Sequence, residues 1–454
     1  MSLRTARRPS TLAQPRRTRQ ALLVLLQGQK GEKLPTESYK SHLLSSQDGP
    51  GHGECDVFIA PDGNVREVLC YDYGFRSGFG RLYQGGDGEI PKGFFALGWE
   101  NYRKEFKQLR RSFRYNEYSD IRNLNPPTTF LGRLSASAGK KVVGGLAALD
   151  RQLEDWSVLP RLTPQPVPAD IAGEDGEMHN DRQEIRSRLR DLQLDDELVW
   201  KREEAREASP EWVKAPWFIQ AFYILLCWGL DKLYAGRPLQ RFWFLETVAR
   251  MPYFSYISML HLYESLGWWR AGAELRRIHF AEEWNELHHL QIMESLGGDQ
   301  YWVDRFLAQH AAVFYYWTVV LFFAISPSWA YTFSELVEGH ATDTYDEFVA
   351  QNADKLKALP PPRVALEYYM AGDLYLFDEL QTTGTDPKRR PSCNSLYDVF
   401  RNIADDEREH VKTMTACRDY SIVDDLARKK LTSKEPTLPK GATPVSSTTA
   451  SLVK

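Results

Sequence analysis

The second half of the chain is an array of aromatic, apolar runs at helical spacing, and acids interrupt it at a few fixed places. Phe242-Trp243-Phe244-Leu245-Glu246-Thr247-Val248 sets Glu246 inside an aromatic helix, and Trp329-Ala330-Tyr331-Thr332-Phe333 leads into Glu335 and Glu338. Two further helical segments carry Glu286-Leu287-His288-His289 and Glu407-Arg408-Glu409-His410. Pro216 to Leu230 is uncharged, and Phe306 to Ser334 lacks formal charge throughout. The first falls short of the roughly 20 residues needed to cross a bilayer, and the second contains Pro327. Trp217, Phe218, Phe222, Tyr223 and Trp228, followed by Lys232, Arg237 and Arg241, predict an amphipathic segment lying in one leaflet. Asp181 to Arg206 reads as one charged, solvated helix. Before it the pattern changes: Cys55-Asp56-Val57-Phe58-Ile59 is strand-like and is broken by Pro61-Asp62-Gly63-Asn64, and glycines follow at Gly85 to Gly88. Those glycines lack the lysine of a phosphate loop and the strand–helix setting of a dinucleotide fingerprint.

The two Glu-x-x-His pairs carry the chemistry. Each helical residue advances about 100°, so positions i and i+3 lie roughly 60° apart and can grip one ion together. A carboxylate oxygen beside an imidazole nitrogen suits iron or manganese. The all-helical form of such a site needs one lone Glu from each of two further helices, all projecting into a four-helix bundle. Glu246 is one candidate; Glu335 and Glu338, one turn apart, are both candidates for the other. A carboxylate on an apolar face needs a cation, a proton or a partner. Four carboxylates and two divalent ions sum to a neutral site.

At these residues the chain resembles the alternative-oxidase superfamily, and most closely its plastid branch. The resemblance runs from about Pro216 to about Ala416, through Leu245-Glu246-Thr247, Gly267-Trp268-Trp269-Arg270, Trp284-Asn285-Glu286-Leu287-His288-His289, Asp304-Arg305-Phe306-Leu307-Ala308-Gln309-His310, Val337-Glu338-Gly339-His340-Ala341 and Asp405-Asp406-Glu407-Arg408-Glu409-His410. The long interval from Glu338 to Glu407 favours the plastid branch. The resemblance implies that Glu246, Glu286, His289, Glu338, Glu407 and His410 hold two iron ions. Seven residues beyond Glu338 stands Tyr345, where the family carries a redox-active tyrosine; this favours Glu338, with Glu335 as the alternative. Asn285 and Asp406, each directly before a ligand Glu, and His261 resemble residues that support the ligands. Arg241 and Leu245 resemble residues lining a quinol pocket, although Arg241 also reads as a surface arginine near a membrane.

The implied fold is mainly α: a ferritin-like di-iron four-helix bundle with extra membrane-associated helices, and an N-terminal extension whose strand-like runs suggest β structure. The implied function is transfer of electrons from plastoquinol to O2 to form water, without proton pumping, by an interfacial enzyme on the stromal side of the chloroplast thylakoid membrane that pairs its subunits as a homo-oligomer. A di-iron hydroxylase acting on a lipid or quinone, and a non-catalytic bundle serving as a thylakoid scaffold, are the alternatives.

Composition sharpens the boundaries. The 454 residues are 43% apolar and 13% aromatic, enough for a catalytic domain plus extensions. The net charge of −4, with no basic patch interleaved with aromatics in the catalytic half, gives nucleic acid no footprint there. Cys55, Cys70, Cys227, Cys393 and Cys417 are scattered, without zinc-site or disulfide spacing. Arg4, Arg7, Arg8, Arg16, Arg17 and Arg19, with no acid before Glu32, resemble an organelle transit peptide. The expected division is a transit peptide over 1–35, an extension over 36–159, a linker and charged helix over 160–206, the oxidase domain over 207–420 and a tail over 421–454.

Overall fold

The turn at Pro61-Asp62-Gly63-Asn64 joins two short strands. Val57–Ile59 (β1) and Val65–Glu67 (β2) pair antiparallel, with Phe58 opposite Arg66. Gly63 sits at φ 81°, a region open to glycine without strain, and its N–H donates to Ala60 O at 2.8 Å. The computed structural model describes residues 57–60, 63–69, 72–74, 92–115, 121, 126, 129–162, 180–210, 212–269, 273–370, 375–376 and 391–419. The arginine-rich segment 1–35, Cys55, Cys70, the glycines at 85–88, most of the proline-rich linker and the tail 421–454 lie outside the described residues.

The β structure expected in the extension is this hairpin. Beyond the hairpin its described residues form two long helices, Phe94–Arg114 (α1) and Phe130–Asp155 (α2). In α1 the aromatics Phe95, Trp99, Tyr102 and Phe106 recur at helical rather than alternating spacing. Thr129 caps α2 by accepting from Gly132 N at 3.1 Å.

The charged helix expected over 181–206 is two helices, Asn180–Arg190 (α3) and Asp196–Glu207 (α4). Asp195 breaks them by capping α4, accepting from Glu197 N at 2.9 Å. Nor is this region only a solvated face, since Val199 and Glu203 of α4 are buried.

Among the described residues seven helices follow: Trp217–Tyr234 (α5), Pro238–Ser265 (α6), Ala273–Ser295 (α7), Trp302–Ile325 (α8), Pro327–Lys357 (α9), Arg363–Met370 (α10) and Leu396–Arg418 (α11). The bundle is built from α6 packed along α7 and α9 packed along α11. Helix α8 lies against α6 and α9, α4 and α5 against α9, and α10 against α7. Pro327 opens α9 at a position where its missing N–H costs nothing, so the charge-free stretch is divided between α8 and α9. The α4 side approaches α9 closely at Gly339: a Cβ there would lie 2.6 Å from Arg206 and 2.7 Å from Trp212.

Two apolar clusters form the core. One surrounds Phe242, Tyr345, Phe348 and Phe400, with the Phe242 and Tyr345 rings stacked at 4.2 Å; the other surrounds Tyr253, Tyr256, Phe323 and Tyr331. Cys227, Cys393 and Cys417 are free and buried. Among the described helices α8 is long and apolar enough to cross a membrane, by length and composition. Its Val313, Phe314, Trp317, Leu321 and Ile325 are exposed on one stripe.

Candidate metal centre

Each of the four bundle helices buries its acid in the same place. Glu246 comes from α6, Glu286 and His289 from α7, Glu338 from α9, and Glu407 and His410 from α11; none is more than 2% exposed. They form two overlapping groups of potential ligands: Glu246, Glu286, His289 and Glu407, and Glu286, Glu338, Glu407 and His410. Within each group the ligand atoms lie within 4.8 Å of one another, and Glu286 and Glu407 belong to both.

Within the groups each imidazole lies close to three acids at once. His289 Nδ1 lies 3.3 Å from Glu407, 3.7 Å from Glu246 and 3.8 Å from Glu286. His410 Nδ1 lies 2.8 Å from Glu286, 3.4 Å from Glu407 and 3.8 Å from Glu338. Yet no hydrogen bond reaches Glu246 Oε2, either oxygen of Glu286, or His289 Nδ1. Buried polar atoms left so are costly unless something outside the protein satisfies them. A donor set of three carboxylates and one imidazole per group fits iron or manganese, and fits the soft-ligand metals poorly.

In the metal-free protein the electrostatics are those of crowded acids. Burial, reinforced by Glu286, drives the Glu246 carboxyl far above its ordinary range. Burial also raises Glu338 to about 8, against the pull of His410 and with a push from Glu407. Burial alone would lower His289 and His410, but the acids around them reverse the sign and hold both imidazoles well above their usual range.

Behind the ring stands an ordered support. Asp406 Oδ2 lies 3.3 Å from His289 Nε2 and accepts from Asn285 at 3.1 Å and Tyr369 at 3.0 Å, while Oδ1 accepts from Tyr375 at 2.7 Å. A carboxylate at Nε2 accepts from the ring N–H, keeps the proton on that nitrogen and so leaves the Nδ1 lone pair facing the cluster. The structure therefore brings Asn285 and Asp406 to the ligands. It does not bring His261, which is exposed. Fifteen residues after Glu246, His261 lies within about 60° of the same helix face but about 22 Å farther along the axis, beyond the reach of the cluster.

Periodicity left Glu335 and Glu338 equivalent; packing separates them. Glu338 joins the cluster, whereas Glu335 Oε2 pairs with Arg418 Nε at 2.9 Å and its Oε1 accepts from Thr415 at 2.9 Å. Tyr345 donates to Glu246 Oε1. Sequence reading missed the counterpart, Tyr253, which donates to Glu338 Oε1 at 2.7 Å. The signal was present: each tyrosine follows one lone glutamate by seven residues and bonds the other across the bundle.

Leu245 is buried beside Glu246. Arg241 is not a surface arginine; it is 2% exposed, pairs with Asp196 at 2.6 Å and Asp231 at 2.8 Å, and lies 3.1 Å from His340 Nε2. A lone arginine in an apolar segment must find acids when buried, and here α4 and α5 supply them.

Comparison with known proteins agrees with this geometry. The family described as alternative oxidase matches residues 218–419. Over 189 residues the chain is 57% identical to the chloroplastic/chromoplastic ubiquinol oxidase 4 of Arabidopsis thaliana, covering 42% of this chain and 54% of that protein. Over 181 residues it is 25% identical to the mitochondrial ubiquinol oxidase 1b of Oryza sativa subsp. japonica, covering 40% of this chain and 48% of that one. The chain spans about half the length of the curated relatives it matches. No solved structure matches it.

Proposed function

We propose that this chain, whose residues 218–419 match the family described as alternative oxidase, is a member of that family that oxidises plastoquinol and reduces O2 to water without pumping protons. Two quinols supply the four electrons and four protons that convert one O2 to two waters. Two iron ions held by Glu246, Glu286, His289, Glu338, Glu407 and His410 would supply the one-electron steps that join a two-electron donor to a four-electron acceptor. The observation that carries the reading is the pair of overlapping buried groups with carboxylates left unbonded at their centre.

The remaining roles belong to the protein. Asp406, fixed by Asn285, Tyr369 and Tyr375, holds His289 in the tautomer and orientation a ligand needs. Tyr345 and Tyr253 hold Glu246 and Glu338 by their phenol protons, and Tyr345 is the side chain from which an extra electron and proton can be drawn. The two aromatic clusters keep water away from the ring. Leu245 borders the quinol's approach, and Arg241 acts through its acids by fixing α4 and α5 to α6 rather than by facing solvent.

The apolar stripe of α8 and the exposed Trp217, Leu225 and Trp228 of α5 support an interfacial position on a membrane, from which a lipid-dissolved quinol enters sideways. The name of the Arabidopsis relative supports a plastid address, the stromal face of the thylakoid being our placement. We read the enzyme as a homo-oligomer. The test is oxygen uptake by the purified, iron-loaded protein given decyl-plastoquinol. One O2 consumed per two quinols, lost in Glu338→Ala, is the expected result; uptake with an oxygenated organic product would move the protein to the hydroxylases, and no uptake with two irons bound would leave a scaffold.

A further inference from the structure

The family match begins at residue 218, which leaves the α1–α2 pair without an assigned role. The C-terminal ends of the two helices are clamped together by ion pairs: Arg110 to Asp150 at 2.6 Å and to Glu154 at 3.2 Å, and Arg114 to the same two acids. The clamp ties the two helices at that end without consuming their apolar surface. On α1, Phe95 is 88% exposed, Trp99 61% and Tyr102 58%, on one stripe that continues to Phe106. Leu131, Leu134, Val142 and Leu149 of α2 are likewise exposed. Water-facing aromatics at this density mark a surface meant for another phase or partner.

Charge says which. The two helices carry ten basic and five acidic side chains. On α1, Lys104, Lys107 and Arg111 lie on the face opposite the aromatic stripe, with Arg103 at its border. Trp, Tyr and Phe on one face with Lys and Arg on the other is the composition of a helix that lies in a membrane interface, the rings among the acyl chains and the cations at anionic headgroups. Helix α1 also packs against α8, whose own exposed stripe is apolar. We propose that the α1–α2 pair is a second membrane-docking element, specific for bilayers carrying anionic lipid, that joins the α8 face in holding the enzyme on the surface where its quinol dissolves. This rests on the interfacial reading of the oxidase domain.

The experiment is flotation of the iron-loaded full chain with vesicles of neutral galactolipid, alone or mixed with phosphatidylglycerol. One variant combines Arg103→Gln, Lys104→Gln and Lys107→Gln; a second combines Phe95→Ser and Trp99→Ser; a third combines Phe314→Ser and Trp317→Ser on α8. The α1 positions are exposed, so helicity by circular dichroism and turnover with a soluble quinol stay at the wild-type level. The charge variant is expected to lose about 100-fold in partitioning to anionic vesicles and little on neutral ones, a loss that added salt reproduces in the wild type. The aromatic variant is expected to lose at least about tenfold on both. Helix α1 variants that float like wild type while the α8 variant does not would overturn the proposal and leave the domain's membrane reading standing. A wild type that never floats would sink both. Variants that change only the sedimentation of lipid-free protein would make a second copy of the chain the occupant, and would overturn the lipid assignment.

Discussion

Two buried clusters of charge flank α9, and they solve the same problem in opposite ways. On one side Glu246, Glu286, Glu338 and Glu407 crowd together with two histidines, four acids to two imidazoles. On the other, the signs alternate and each acid faces a base: His340 Nδ1 lies 2.7 Å from Glu203, Tyr223 donates to Glu203, Arg241 pairs with Asp196 and Asp231, and Arg206 pairs with Asp343 at 2.8 Å. Both are rich in ionisable groups, and both are buried at their centres, with Asp196 and Arg206 part-exposed at the edge of the second. What distinguishes a site built for an ion from one built for stability is whether the protein balances its own charge.

The largest test of that contrast is one of sign. In the self-balanced cluster, Glu203→Ala strands His340 and frees Tyr223, and should destabilise the fold by about 3–5 kcal/mol, the usual cost of breaking a buried pair. In the unbalanced ring, Glu246→Gln removes one of the repelling acids while keeping its shape and its bond from Tyr345. The metal-free protein should become no less stable, yet lose its iron. Calorimetry of both variants beside metal analysis decides it: a large loss of stability in metal-free Glu246→Gln would show that the ring, too, is held by its own contacts.

Acidity gives a second handle of intermediate size. In the metal-free protein Glu338 stands at about 8 against an ordinary 4.5, and His289 and His410 stand well above their ordinary 6.5. All three groups therefore bind protons more tightly folded than unfolded. As pH rises past 4.5 for the acid and past 6.5 for the imidazoles, the unfolded chain loses its protons first, so stability falls, and the contribution of Glu338 is spent by about pH 8. Bound metal replaces those protons and flattens the profile, while its own affinity rises with pH. Melting temperatures of metal-free and iron-loaded protein, taken from about pH 4.5 to 8, should diverge steadily; parallel curves would break the argument.

How much of this could be read from the sequence differs between the two clusters for a physical reason. The ring was legible because its grammar is local: Glu286 with His289 and Glu407 with His410 are one helical turn apart, and each lone glutamate interrupts an aromatic run. The balancing cluster was not, because its pairs join residues far apart in sequence. Arg206 and Asp343 meet only through α4 packing on α9, and Arg241, for which a surface position was the alternative to a quinol pocket, is buried by acids from α4 and α5. His261 shows the limit of periodicity itself, which gives direction around a helix and says nothing of depth along it. Tyr253 shows the opposite, a signal available at seven residues from Glu246 and legible only once the matching Tyr345 to Glu246 bond is seen. The helices α1 and α2 were hidden behind the strand-like hairpin that precedes them, although the aromatic spacing of α1 was already helical.

The smallest expected effect is the sharpest check on the ring's boundary. Glu335 lies one turn from Glu338 on α9 and is just as buried, at 2%, but it faces the Arg418 guanidinium and accepts from Thr415. Burial raises its carboxyl, with Arg418 and Thr415 pulling against that rise, so the group is tied to α11 rather than to the cluster. Glu335→Ala removes one ion pair to a partly exposed arginine and one hydroxyl bond, which should cost about 1 kcal/mol. Iron content and oxygen uptake should stay at the wild-type level while Glu338→Ala loses both. Because the two residues share a helix, a burial class and a charge, any general damage to α9 would strike them alike. Loss of iron in Glu335→Ala would therefore move the ring's edge one turn toward the start of α9, and would show that a closed set of partners does not exclude a residue from the metal's reach.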